Sequence, residues 1–158
     1  MIKEIGITAQ VSVEGHVKIP AKIDTGADSS AIWATNIKFN SDDKIITFTL
    51  FGEGSPHYTG EVLTTTDYEI VKVRNSMGYE QLRFKTPLTL RIKGKKIRAW
   101  FNLADRSKNR FPILIGKQTL RGKFLVNPNI NPFKKLTMTK NIVSEDDIKE
   151  ITKKHKDN

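Results

Sequence analysis

The chain has 158 residues, 37% hydrophobic and 28% charged, a size and balance that suit one soluble domain with its own core. It holds no cysteine, which excludes a disulfide framework and thiol chemistry; no apolar run approaches the roughly 20 residues that span a bilayer, and Met1-Ile2-Lys3-Glu4-Ile5 lacks a signal-peptide hydrophobic region, so a cytoplasmic protein without a membrane partner is expected. A net charge of +10 points to acidic partners (an acidic peptide, nucleic acid or ribosome, an anionic surface), beside the plainer reading of a solvated basic face.

Glu4 to Val13 mixes apolar and polar residues at strand spacing, Glu14-Gly15-His16 reads as a hairpin turn, and the chain returns with Val17, Ile19, Ala21 and Ile23 on one face. Pro20 puts part of this strand at an edge or a bulge. The strand delivers Asp24, within Lys22-Ile23-Asp24-Thr25-Gly26-Ala27-Asp28-Ser29-Ser30, to its C-terminal end. Gly26 permits a tight bend that brings its N–H to the carboxylate, and Thr25 offers a hydroxyl that donates and accepts. The same residue types also make plain turns. Ser29 to Ala34 turns back into the core on Ile32 and Trp33, and Lys44 to Phe51 is strand-like. Gly52-Glu53-Gly54-Ser55-Pro56 is a loop without the Gly-Lys-Ser/Thr of a phosphate loop, and Gly116-Lys117-Gln118-Thr119 lacks the upstream glycine, so no nucleotide is expected.

Tyr68 to Arg74, the turn Asn75-Ser76-Met77-Gly78-Tyr79, and the strand from Gln81 make a hairpin. Leu88, Leu90 and Ile92 alternate with Thr89, Arg91 and Lys93; after a turn at Gly94-Lys95, Ile97, Ala99, Phe101 and Leu103 alternate with Arg98, Trp100 and Asn102, the clearest hairpin in the chain. Pro112 to Ile115 reads as a buried strand, Gly116 to Arg121 as a short helix and Lys123 to Val126 as a closing strand. The turn-rich Asn127-Pro128-Asn129-Ile130-Asn131-Pro132 ends the compact core, dividing a domain at 1–128 from an extension at 129–158. Within the extension, Ser144 to Lys154 reads as a helix. Ser144 and Asp147 stand at capping-box spacing, Val143 and Ile148 at staple spacing, and lysines crowd the C-terminal end. Its apolar face is only Ile148 and Ile151, so alone it is marginal.

Two of these stretches, Asp24-Thr25-Gly26-Ala27 early and Ile113-Leu114-Ile115-Gly116 late, resemble the retropepsin-type aspartic proteases. Ala21 to Ala34 and Leu103 to Pro128 are similar to the bacterial family labelled ATP-dependent zinc proteases, whose relatives are associated with ribosomal-protein glutamate ligases; the likeness covers residues 4–128. It implies an all-β fold: a retropepsin-like closed acid-protease barrel with one short helix and a C-terminal helical tail. It also implies an aspartic-type peptidase. Peptide hydrolysis by carboxylates needs two, one taking a proton from water and one serving the carbonyl, and two in contact share one proton. This chain has one Asp-Thr-Gly, so the expected enzyme is a symmetric homodimer.

By resemblance, Asp24 is the catalytic acid/base, Thr25 locks the two loops together through its hydroxyl, and Gly26 gives an N–H to the carboxylate. Ala27, where pepsin-like relatives often carry serine, implies activity nearer neutral pH. Asp28 matches an aspartate that holds substrate backbone in retroviral enzymes; the bacterial family more usually has a basic residue there, and an ion pair with Lys117 is an equal reading. Arg74, Ser76, Gly78 and Arg83 match residues recurrent in the family on a flap that closes over substrate, the alternative being an ordinary hairpin. Asp105 and Arg106 match an Asp-Arg pair expected to brace a loop.

His16, His57 and His155 are isolated and read as surface residues; with no His-Glu-x-x-His and no cysteine, neither metal nor other cofactor is expected, whatever the family label. No Gly-x-Ser-x-Gly is present. Lys93, Lys95, Lys96 and Arg98 cluster on one hairpin, with Lys134-Lys135 and Lys153-Lys154 later, but no nucleic-acid motif appears and nucleic acid ranks as the weaker partner. The expected partners are a peptide or protein substrate, glutamate-rich by virtue of the net charge and of Arg74, Arg83, Arg106 and Arg110; a second copy of the chain; and a ribosomal protein or glutamate ligase. Two alternatives stand beside the peptidase: a non-catalytic adaptor on the same fold, and a basic nucleic-acid- or ribosome-associated protein.

Overall fold

The computed structural model describes residues 1–74, 77–138 and 143–156. Strand β1 (Lys3–Ile5) is followed by β2 (Thr8–Val13), β3 (His16–Ile23), β4 (Ser30–Asn40), β5 (Ile45–Leu50), β6 (Val62–Thr65) and β7 (Glu69–Arg74). Then come β8 (Glu80–Ile92), β9 (Lys95–Ala104), β10 (Ile113–Ile115), helix α1 (Lys117–Leu120), β11 (Phe124–Val126), α2 (Lys134–Thr137) and α3 (Glu145–Lys156). Strands β10, β3, β2, β8, β9 and β4 are hydrogen-bonded in that order, and β10 pairs back onto β4, so six strands close a barrel. β5 and β6 extend the sheet from β4, β7 pairs outside with β8, and β1 lies parallel to β11 in a separate pair. This is the all-β closed barrel, with one short helix and a helical tail, that the sequence implied.

Alternation fills the barrel: Val11, Val13, Ile19, Ala21, Ile32, Leu88, Leu90, Ile92, Phe101 and Ile113 are among its buried side chains. The hairpin turns are built for the strand twist, with Glu14 and Gly15 at φ 49° and 80° and Lys93 and Gly94 at φ 51° and 78°. β8 is one strand of 13 residues, joining the flap segment and the alternating segment that the sequence presents separately.

Two expectations are corrected on β3. Val11 pairs with Ile19 but Val13 with His16, so Ser12 faces two residues, Val17 and Lys18. This bulge reverses the alternation. Val17, expected inside, is 63% exposed, and His16, expected on the surface, is 8% exposed. The His16 ring edges onto Phe51 with centroids 5.6 Å apart; its Nδ1 lies 3.3 Å from the Val13 carbonyl and its Nε2 3.2 Å from Thr59 Oγ1. His57 is half-buried, its ring centroid 5.8 Å from that of Phe51. The side chain of His155 lies outside the described residues.

Residues 127–138 strap onto the β1–β2 corner. Ile7 N–H donates to the Ile130 carbonyl at 2.9 Å, and a Cβ at Gly6 would fall 2.0 Å from that oxygen. Thr8 Oγ1 donates to Asn131 at 2.6 Å and accepts from Phe133 N–H at 3.2 Å. Farther on, Ser144 and Asp147 form the reciprocal capping box, at 3.0 and 3.2 Å, that starts α3. Ile148 and Ile151 remain 55% and 56% exposed.

Candidate active site

β3 ends by handing its backbone to β10: Asp24 N–H donates to the Ile115 carbonyl at 2.8 Å. The chain then turns. Gly26 N–H donates to Asp24 Oδ1 at 2.9 Å, and Ala27 N–H to the Asp24 carbonyl at 3.3 Å. Asp24 is half-buried while Thr25 and Gly26 are exposed, so the carboxylate and the threonine hydroxyl stand at the surface.

The late motif clamps this loop. Lys117 N–H donates to the Ala27 carbonyl at 2.7 Å and Gln118 N–H to the Asp28 carbonyl at 3.1 Å. Ser30 Oγ accepts from Gly116 N–H at 3.0 Å and shares a hydrogen bond of 2.8 Å with Thr119 Oγ1, in a buried network. Gly116 is glycine because a Cβ there would lie 2.5 Å from the Ser29 carbonyl oxygen and 2.9 Å from that of Ala27. Asp28 turns outward to Lys117, with Oδ1 and Nζ 2.9 Å apart. The hydrogen bond and charge of Lys117 hold the Asp28 carboxyl below its ordinary range.

Arg106 does not pair with Asp105 as expected. Asp105 accepts from Ser107 N–H at 3.0 Å, and hydrogen bonding from the Ser107 side chain and then its backbone holds the Asp105 carboxyl low. Arg106 donates through Nε to the Phe111 carbonyl at 3.0 Å. Its guanidinium is largely buried, within electrostatic reach of both Arg83 and Asp24. Burial and the like charge of Arg83 depress its pKa, and the Asp24 carboxylate opposes them. Arg83 also donates to Gln81 at 3.3 Å and lines a cavity of about 410 Å³ with Ala34, Thr35, Leu103 and Asp105. Arg106 thus feels both the Arg83 charge and the Asp24 carboxylate.

The remaining predicted residues belong to the β7–β8 hairpin and the 105–111 loop. Arg74 pairs with Glu80 at 3.5 Å where the β7–β8 ladder meets its turn. Gly78, at φ 85°, is near its tip. Ser76 lies outside the described residues. Arg110 faces away, donating to the Leu136 and Met138 carbonyls at 3.1 Å. The sequence signal for Arg106 was its position just before the late motif; which arginine turns inward depends on the 105–111 loop.

A shallow depression of about 370 Å³ lies beside Thr25, walled by Leu120, Arg121, Phe124, Leu125 and Val126. Leu125 there is 65% exposed. Zinc would need a donor set that the described residues lack: no group of three or more His, Asp or Glu side chains is placed to hold a metal. Among the same residues no helix is long and apolar enough to cross a membrane.

A family model described as "RimB-like: Retropepsin-like aspartic endopeptidase RimB" matches residues 5–135. No curated protein matches the chain. One similar solved structure is that of a Legionella pneumophila protein of unknown function; it is 21% identical, the match covers 82% of this chain and 95% of that one, and the TM-score is 0.61. That likeness speaks for the fold alone. The closed barrel, the Asp24 loop and the clamp from Gly116 agree with the family match over most of the chain: the chain belongs to the RimB-like family of retropepsin-like aspartic endopeptidases.

Proposed function

We propose that the chain is one half of an aspartic peptidase whose active site forms when two copies bring their Asp24 loops together. The observation that carries this is the Asp24 loop itself: a single carboxylate oriented by the Gly26 N–H, with Thr25 exposed beside it. Such a site is incomplete in one copy, because hydrolysis needs a base and an acid at the same bond. With one proton between two carboxylates, the ionised Asp24 takes a proton from water while the protonated one gives its own to the carbonyl oxygen. The water oxygen bonds to the carbonyl carbon. A proton then passes to the amide nitrogen as the C–N bond breaks. The depression beside Thr25 suits contact with a second copy: exposed Leu125 and neighbouring Val126 share it with Thr25, whose hydroxyl would lock the loops, and with Lys117 and Arg121.

The substrate we propose is an acidic, glutamate-rich peptide. Arg106 lies within electrostatic reach of Asp24 and of Arg83, and guanidinium groups suit carboxylates and keep their charge when partly buried. A ribosomal protein or a glutamate ligase is the corresponding partner proposal, resting on the resemblance described above.

The test is Asp24→Asn, which keeps size and hydrogen bonding but cannot cycle a proton. The variant should fold as the wild type does, by circular dichroism, and lose cleavage by about 10³-fold or more. Cleavage at the wild-type rate would remove Asp24 from the chemistry.

A further inference from the structure

The register of four neighbouring strands sets Lys18, Ser12, Arg91 and Lys96 in one row across the outside of the barrel. Ser12 pairs with Arg91, and Arg91 with Lys96. The bulge opposite Ser12 brings Lys18 alongside. Neighbours in such a row have Cβ atoms about 5 Å apart. Lys93 joins at the β8–β9 turn. Lys3 donates to the Lys93 carbonyl at 2.7 Å, and Lys95 to the Met1 carbonyl. Between Lys18, Arg91 and Lys93 lies a depression of about 240 Å³, lined also by Gln10, Ser12 and Gly94 and by no carboxylate.

Among the described residues none of Lys3, Lys18, Arg91, Lys93, Lys95 and Lys96 is in an ion pair; the four ion pairs lie elsewhere. Like charges directly opposite on adjacent strands destabilise a sheet. The same hairpin shows that pairing is available, since Arg98 meets Asp67 at 3.1 Å. Arg91 facing Lys96 is therefore a cost that an external anion would offset.

We infer that this row, Lys18–Ser12–Arg91–Lys96 with Lys93 at its edge, is a docking surface for the phosphate backbone of nucleic acid. The depression admits a phosphate group, and the row continues the positive charge across four strands, which fits a chain with one charge per nucleotide. Arginine meets phosphate with a planar fork and lysine as a point charge. No aromatic ring lines the depression, so bases would not stack there and recognition would be independent of sequence. The surface is separate from the candidate active site: Ile19 pairs with Val11, which pairs with Ile92, and Asp24 lies farther along β3. At about 3.3 Å per residue that is on the order of 16 Å. The inference does not rest on the peptidase reading.

The experiment is fluorescence anisotropy of a labelled, mixed-sequence single-stranded RNA of about 20 nucleotides, titrated at several salt concentrations. The variants are Arg91→Glu and Lys18→Glu, with Lys38→Glu, an exposed lysine on β4, as the equal-charge control. Arg91→Glu exchanges a repulsive pair for a Glu–Lys96 pair, so it should melt at a higher temperature than the wild type; weakened binding then cannot come from misfolding. Arg91→Glu and Lys18→Glu should each weaken RNA binding by roughly tenfold and flatten its salt dependence, while Lys38→Glu changes it by less than about twofold. Cleavage of a short uncharged peptide should be unaffected by Arg91→Glu. Equal losses in all three variants would overturn the inference, leaving net charge as the cause. So would failure of the wild type to bind RNA, including a result in which polyglutamate or anionic phosphatidylserine vesicles bind through this row and RNA does not.

Discussion

Gly116 is where the two halves of the site depend on one atom's absence. A methyl group there meets backbone oxygens of Ser29 and Ala27, which cannot swing aside as a flexible side chain would. Gly116→Ala should therefore cost about 1–3 kcal/mol in urea unfolding and lower activity more than stability, because the Asp24 loop shifts with the clamp. An unchanged unfolding midpoint would show that the loop yields freely. The Asp24 turn and the Gly116 turn were both legible in the sequence, since each follows from the chemistry of adjacent residues. Arg106 was legible only in part. Its place before the late motif was visible, but its expected partner was Asp105, and the structure instead turns Asp105 to Ser107 and Arg106 to Phe111. Side chains in an irregular loop find their partners through tertiary contacts that spacing does not encode. Asp28 shows the same limit: substrate contact and ion pair were equally open until the fold brought Lys117 to 2.9 Å.

At the scale of elements, the β2–β3 hairpin and the loop that follows β5 meet at Phe51, whose ring contacts both His16 and His57. Burial, with the nearby charge of His16, lowers the His57 pKa from the ordinary 6.5. A histidine held low in the folded state binds protons more readily when unfolded. Its contribution to stability is thus present above pH 6.5 and is lost as pH falls toward the folded value. The urea midpoint should drop below pH 6.5, and His57→Gln should flatten that drop. An identical pH profile in the variant would assign the drop to other groups. Strand pattern explains why His16 was misplaced by sequence alone. Alternation across His16 to Ile23 put Val17 inside, but one extra residue at the bulge inverts every side chain on its turn side. The β8–β9 hairpin carries no such insertion in its ladder, and there the alternating pattern and the structure agree up to Phe101; beyond it Asn102, expected outside, is buried with its neighbours.

For the whole molecule, the question is where the charge of +10 acts. Arg106 lies within electrostatic reach of Asp24 and Arg83, and a second group of cations lies across the outside of the barrel. If the first group selects substrate, a glutamate-rich peptide should be cleaved faster than its glutamine counterpart, and added salt should narrow the difference as it screens exposed charges. Equal rates at low salt would separate the charge from substrate choice. Barrel closure was legible as a resemblance because two specific motifs pin opposite ends of the same site. The proposed second copy rests on counting: one Asp-Thr-Gly per chain where the chemistry uses two carboxylates. The measurement that tests this most directly mixes equal amounts of wild type and Asp24→Asn, allows subunits to exchange, and reads cleavage per wild-type chain. If each site is made from two Asp24 carboxylates, random pairing leaves wild-type pairs as about a quarter of all dimers, and activity per wild-type chain falls to about half that of wild type alone. Activity per wild-type chain that stays unchanged after full exchange would contradict the shared site.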